Sequence, residues 1–184
     1  MVSAVFLDRD GTINVGAGGD SYITSPRQVR LLPGAAAANR LFNRVALLVV
    51  VVTNQRGVAK GVMTLVDLVA VTDRLDSILA AQGARIDPTY ACIHEEGACD
   101  CRKPAPGLIL RAVRERPVIA LESSVMIGDA ESDVLAGKAA GVRTVRLAPP
   151  GTPTAADALC RDLSEASRLV LAHLRPHTGL AQER

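Results

Sequence analysis

Four short polar stretches hold the side chains able to do chemistry: Asp8 to Thr12 (DRDGT), Thr53 to Gly57 (TNQRG), Cys92 to Pro104 (CIHEEGACDCRKP) and Gly128 to Asp133 (GDAESD). Asp8 and Asp10 alone fit a solvated turn, and Asp129 alone fits a helix N-cap. Brought to one edge, the three carboxylates would repel. A hard divalent cation neutralises such a set, and Mg2+, which keeps several waters and takes few carboxylates, suits it. Thr53 then becomes a hydroxyl donor and Lys103 a point charge, both suited to phosphate oxygens.

Cys92, His94, Cys99 and Cys101 follow the spacing C-x-H-x4-C-x-C, four ligands within reach of one tetrahedral Zn2+. Four protein ligands leave no open position, so the expected role is structural. Three thiolates on Zn2+ carry a net charge of −1, which Arg102 and Lys103 can offset. Glu95 and Glu96 are read as solvated, and Cys160 as a small apolar filler in or near a final strand. The chain reaches an Asp at position 8, and no apolar run approaches the ~18 residues of a membrane span. A cytoplasmic location is expected, where thiols stay reduced and clustered cysteines favour metal over disulfide.

Elements that could position these groups alternate along the chain. Ala4–Leu7, Ala46–Val52, Thr89–Ile93, Val125–Ile127 and Val142–Leu147 read as strands, apolar on both faces as in a covered parallel sheet. Ala35–Asn43, Thr64–Gln82, Leu108–Arg116, Ser132–Ala140 and Leu163–Leu174 read as helices. Thr64 with Asp67 approximates a capping box, Leu65, Leu68, Val69, Leu75, Ile78 and Leu79 recur at helical spacing, and Gly141 stops its helix. The segment APPGTPTAAD reads as a linker, and the end of the chain as a polar tail. Strand–helix alternation predicts an α/β three-layer Rossmann-like sandwich with a mostly parallel sheet. Such a sheet presents the residue after each strand along one ligand-binding edge, where all four polar stretches fall.

The 184 residues fit one domain, with motifs over 4–147, a zinc loop at 92–101 and a C-terminal helix and tail over 152–184. A net charge of +2 without long single-sign runs gives no bulk attraction to nucleic acid or membrane. Scarce aromatics remove stacking platforms. The expected partner is a small molecule and the expected state a monomer.

The order FLDRDGT, VVTNQRG, CRKP, MIGDAESD resembles the four motifs of the haloacid dehalogenase (HAD) superfamily of aspartate-nucleophile phosphatases. The resemblance implies that Asp8 attacks phosphorus and forms an aspartyl-phosphate, and that Asp10 protonates the leaving oxygen and then deprotonates water. It implies that Asp8, the backbone carbonyl of Asp10 and Asp129 hold Mg2+. Thr53 and Lys103 would bind the transferring group. Gly11 permits a tight turn that Thr12 could cap, and Asp133 would hold Lys103 or a backbone group.

The cysteine loop is similar to that of the zinc-loop branch containing D-glycero-D-manno-heptose 1,7-bisphosphate phosphatases and histidinol-phosphate phosphatases. Asp8 and Thr53 lie 45 positions apart, leaving no room for a large cap domain. Asn54, Gln55 and Arg56 with Arg102 are the expected substrate-binding neighbours, Arg102 gripping a sugar-borne phosphate. TNQRGVAKG is similar to the second motif of the heptose enzymes, a resemblance that implies removal of the C7 phosphate of heptose bisphosphate. The short EEGA between His94 and Cys99 keeps histidinol phosphate, or another small sugar phosphate, open, and Ala130 stands where a basic residue often follows the motif's Asp. A phospho-acceptor receiver would place its Lys last, whereas Lys103 precedes Asp129. A zinc-binding interaction module would need aromatic or basic surface around the cluster, and little is present.

Overall fold

The computed structural model describes residues 3–19 and 21–174. Six strands form one parallel sheet: β1 (Ala4–Leu7), β2 (Leu48–Asn54), β3 (Thr89–Cys92), β4 (Val125–Gly128), β5 (Arg143–Leu147) and β6 (Ala158–Cys160). Their spatial order is β3-β2-β1-β4-β5-β6. The helices are α1 (Ala35–Arg44), α2 (Leu65–Ala80), α3 (Gly107–Glu115), α4 (Glu131–Ala140) and α5 (Leu163–Leu174).

Alternation within the strands divides the core. Val5, Leu7, Val49, Val51, Val125 and Ile127 face one side with Phe42 of α1, Leu75 and Leu79 of α2 and Val170 of α5. Phe6, Val50, Val52 and Met126 face the other, against Leu108, Ile109 and Ala112 of α3 and Ala136 of α4. The result is the expected three-layer sandwich.

Sequence expectation and structure differ at a few points. Ala46, expected in a strand, takes a left-handed turn at φ 59°, and β2 begins at Leu48 and runs through Thr53 to Asn54. In α2, Leu68, Val71, Leu75 and Leu79 are buried, while Leu65 and Val69 stay exposed. Its capping box is present: Thr64 accepts from the Asp67 N–H at 3.1 Å and donates its own N–H to Asp67 at 2.8 Å, worth about 1 kcal/mol. The segment read as a linker leads into β6, which adds a parallel strand beside β5 and buries Cys160. The predicted polar tail lies outside the described residues. Among these, no helix is long and apolar enough to cross a membrane.

Candidate active site

Parallel strands bring their carboxyl ends to one edge, and the order of strand addition reverses between β1 and β4, opening a crevice there. Asp8 leaves β1, Thr53 sits near the end of β2, and Asp129 leaves β4. Lys103 arrives from the turn that follows the cysteine loop. Asn54 locks that turn to β2: its side chain donates to the Lys103 carbonyl and accepts the Lys103 N–H, both at 3.0 Å.

Lys103 is buried at the centre. Its ammonium donates to Asp8 Oδ1 at 2.6 Å and to the Val52 carbonyl at 2.8 Å, and lies 2.6 Å from Asp133 Oδ1. Three acceptors match three protons. Burial disfavours its charge, but Asp8 and Asp133 outweigh that and lift its pKa above the ordinary lysine range. Asp8 is pushed up to about 6, chiefly by burial, with Lys103 opposing the rise and Asp133 adding to it. Asp129 also rises to about 6, through burial and the like charge of Asp8.

Asp8, Asp129 and Asp133 each offer a carboxylate oxygen within 4.8 Å of the others. Asp133 is already engaged, because its Oδ1 meets Lys103 and its Oδ2 accepts the Ala130 N–H at 3.0 Å at the start of α4. That leaves Asp8 and Asp129 as the carboxylates free to face a cation. Two neighbouring carboxylates with raised pKa values, Asp8 buried and Asp129 partly exposed, are a donor set that fits a hard divalent ion. Gly11, at φ 85°, is required here, since a Cβ would collide with the Asp129 carboxylate.

Asp10 turns its carboxylate to a different set of groups. Arg9 donates to Oδ2 through Nε at 3.2 Å and Nη2 at 2.7 Å, Gln55 donates to Oδ2 at 2.8 Å, and Asn14 donates to Oδ1 at 2.8 Å. Thr53 is buried, and its hydroxyl oxygen accepts from Gln55 at 2.9 Å. Thr12 does not cap the turn: its hydroxyl is buried without a hydrogen-bond partner. Arg56 reaches outward, donating to the Tyr22 hydroxyl at 3.4 Å and pairing with Glu96 at 3.2 Å. Arg102 keeps one buried donor, Nη1, with no partner. Sequence reasoning missed Arg9, Asn14 and Arg146, the last of which donates to the Asp129 carbonyl at 3.2 Å. The available signal was that Arg9 stands between two acids at the end of a fully buried strand.

The cysteine loop closes on itself beside this edge. Cys92 Sγ lies 3.7 Å from His94 Nδ1 and 3.5 Å from Cys99 Sγ, and Cys101 Sγ lies 3.3 Å from each of those two atoms. A tetrahedral Zn2+ with Zn–S of ~2.3 Å needs sulfurs about 3.8 Å apart, so the donor set fits in type, number and spacing. Cys99 is lowered to about 7, Cys101 is pushed up to about 12 and Cys92 is raised, in the last two chiefly by burial. Without a cation the three thiols resist ionising together.

Comparison with known proteins defines the class first. The HAD-hydrolase-like family model matches residues 100–175, which include Lys103, Asp129 and Asp133. The crystal structure of D,D-heptose 1,7-bisphosphate phosphatase from B. bronchiseptica, complexed with magnesium and phosphate, matches with a TM-score of 0.83 and 30% identity, covering 94% of this chain and 99% of that one. The fold is that of a HAD-type phosphatase, a phosphomonoester hydrolase.

Curated relatives define the family. The D-glycero-β-D-manno-heptose-1,7-bisphosphate 7-phosphatase of Pasteurella multocida is 37% identical, over 85% of this chain and 87% of its own length. That of Rhodopseudomonas palustris is 43% identical over 76% and 79%. The D-glycero-α-D-manno-heptose-1,7-bisphosphate 7-phosphatase of Mycobacterium bovis is 37% identical over 95% and 94%. The chain belongs to this family of heptose-bisphosphate phosphatases.

Proposed function

We propose that the protein removes the C7 phosphate of D-glycero-D-manno-heptose 1,7-bisphosphate through an aspartyl-phosphate on Asp8. The observation that carries the mechanism is the Lys103 ammonium held between Asp8 and Asp133 at the sheet's switch point. The substrate rests on the names of the curated relatives. Asp8 supplies the nucleophilic carboxylate. Asp10 gives a proton to the leaving sugar oxygen and takes one from the water that cleaves the intermediate. The Thr53 hydroxyl donates to a phosphate oxygen, and Lys103 contributes positive charge beside it.

Asp8, Asp129 and the Asp10 carbonyl would hold Mg2+, which when bound screens the negative charge of the transferring group. Cys92, His94, Cys99 and Cys101 would hold a structural Zn2+. Arg102, a partly exposed residue, would meet the phosphate that is not transferred, and Arg56 could join it on releasing Glu96. Asn54 acts by fixing the Lys103 turn.

Magnesium affinity is expected to depend on pH. With Asp8 and Asp129 near 6, protons compete with the cation below that value. Binding should weaken by at least about tenfold between pH 7.5 and 5, measured by calorimetry. The metal-free protein is expected to show the opposite trend: a raised folded pKa gives stability that is full below the unfolded value and is lost as pH rises through 6. The rise in Tm on adding Mg2+ is therefore larger at pH 7.5 than at pH 5, and an equal rise at both would count against these ligands.

The substrate is tested by kcat/KM for both anomers of the heptose bisphosphate against histidinol phosphate. The expected result is a preference of at least about tenfold for one bisphosphate anomer, in line with discrimination by a site that pairs a second charged group. Preference for histidinol phosphate would overturn the substrate.

A further inference from the structure

Gln55 is as buried as Thr53, each 1% exposed, but its amide nitrogen is engaged by the protein's own groups. Its amide nitrogen donates to Asp10 Oδ2 at 2.8 Å and to Thr53 Oγ1 at 2.9 Å. The Asp10 oxygen, which also receives two Arg9 donors, fixes which end of the amide faces inward: a carboxylate accepts, so the NH2 group must point to it. One of its two hydrogens serves Asp10, and the second falls to Thr53.

A hydroxyl carries one proton. Having accepted from Gln55, Thr53 must direct that proton elsewhere, and among the described residues it donates to no protein acceptor. We infer that Gln55 is a positioning residue: anchored by Asp10, it orients the Thr53 hydroxyl so that its proton faces the crevice and is ready for a phosphate oxygen. Preorganised donors of this kind act on the rate because they need no reorientation as charge develops. The inference rests on the proposed roles of Thr53 and Asp10.

The test is a double-mutant cycle on the zinc- and magnesium-loaded full chain with Thr53→Val and Gln55→Met, the latter conserving volume without a donor. Gln55→Met is expected to lower kcat by about 10- to 100-fold with KM within about threefold, less than the roughly 10^2–10^3-fold of a preorganised donor removed outright, because the Thr53 hydroxyl remains and loses only its orientation. With Thr53→Val present there is no hydroxyl proton to orient, so the combined loss is expected to fall short of the product of the single losses by more than about threefold. A combined loss equal to that product within about threefold, as for packing alone, overturns the inference. Should Gln55→Met fail to fold, the isosteric Gln55→Glu replaces it under the same threshold. An Asp8→Asn control that still turned over would sink the underlying mechanism instead, which keeps the two failures apart.

Discussion

Asp8→Asn is expected to abolish phosphate release, by about 10^4-fold or more, the scale seen when a covalent nucleophile is removed. The amide keeps the shape of the carboxylate, and its oxygen can still accept from Lys103, so neighbouring groups need not move. Asp8 is a buried acid whose pKa is raised to about 6 by burial. Its charge at neutral pH therefore works against the fold, and removing it is expected to leave stability within about 1 kcal/mol or raise it slightly. The cysteine loop is separate from this carboxylate, so zinc content stays unchanged. Phosphate release, thermal melting and metal content measured on one preparation check all three. Retained release, or loss of zinc, contradicts the assignment.

Lys103→Met is expected to damage both stability and turnover. The ammonium is the cation between Asp8 and Asp133, and it satisfies the Val52 carbonyl as well. Removing one partner of a buried pair leaves uncompensated charge at a cost of about 3–5 kcal/mol. The loss shrinks at pH 5, where Asp8 takes up a proton. Turnover should fall by about 10^3-fold, as a buried charge beside the transferring group disappears. Lys103→Arg is not expected to rescue it, because a planar guanidinium fork replaces a compact three-donor ammonium. Urea unfolding at pH 7.5 and pH 5, with rates at saturating Mg2+, checks both parts. A midpoint unchanged at pH 7.5 would remove Lys103 from its central role.

The strand ends were legible in the sequence because fully buried parallel strands read as apolar runs, and polar residues that interrupt them mark the edge. β1 matches its predicted span, and Asp133 meets both Lys103 and a backbone N–H. The grip on Asp10 by Arg9, Asn14 and Gln55 was not legible, since a side chain's direction in a turn follows no period. Asn54 and Gln55 looked like substrate contacts because they adjoin Thr53, yet their amides serve the protein's own groups. β6 was anticipated only as a final strand at or near Cys160, without bounds, because three residues carry no periodicity. Glu96, read as solvated, pairs with Arg56 while remaining 78% exposed, a contact of small energetic weight.

The central claim is that Asp8 becomes phosphorylated during turnover. Acid-quenching the enzyme during steady-state turnover of heptose bisphosphate and reducing the trapped acyl phosphate with borohydride converts a phosphorylated aspartate to homoserine, which peptide mass spectrometry locates. The expected result is homoserine at position 8, present with substrate and absent without it; homoserine at another aspartate, or none during active turnover, would contradict the account.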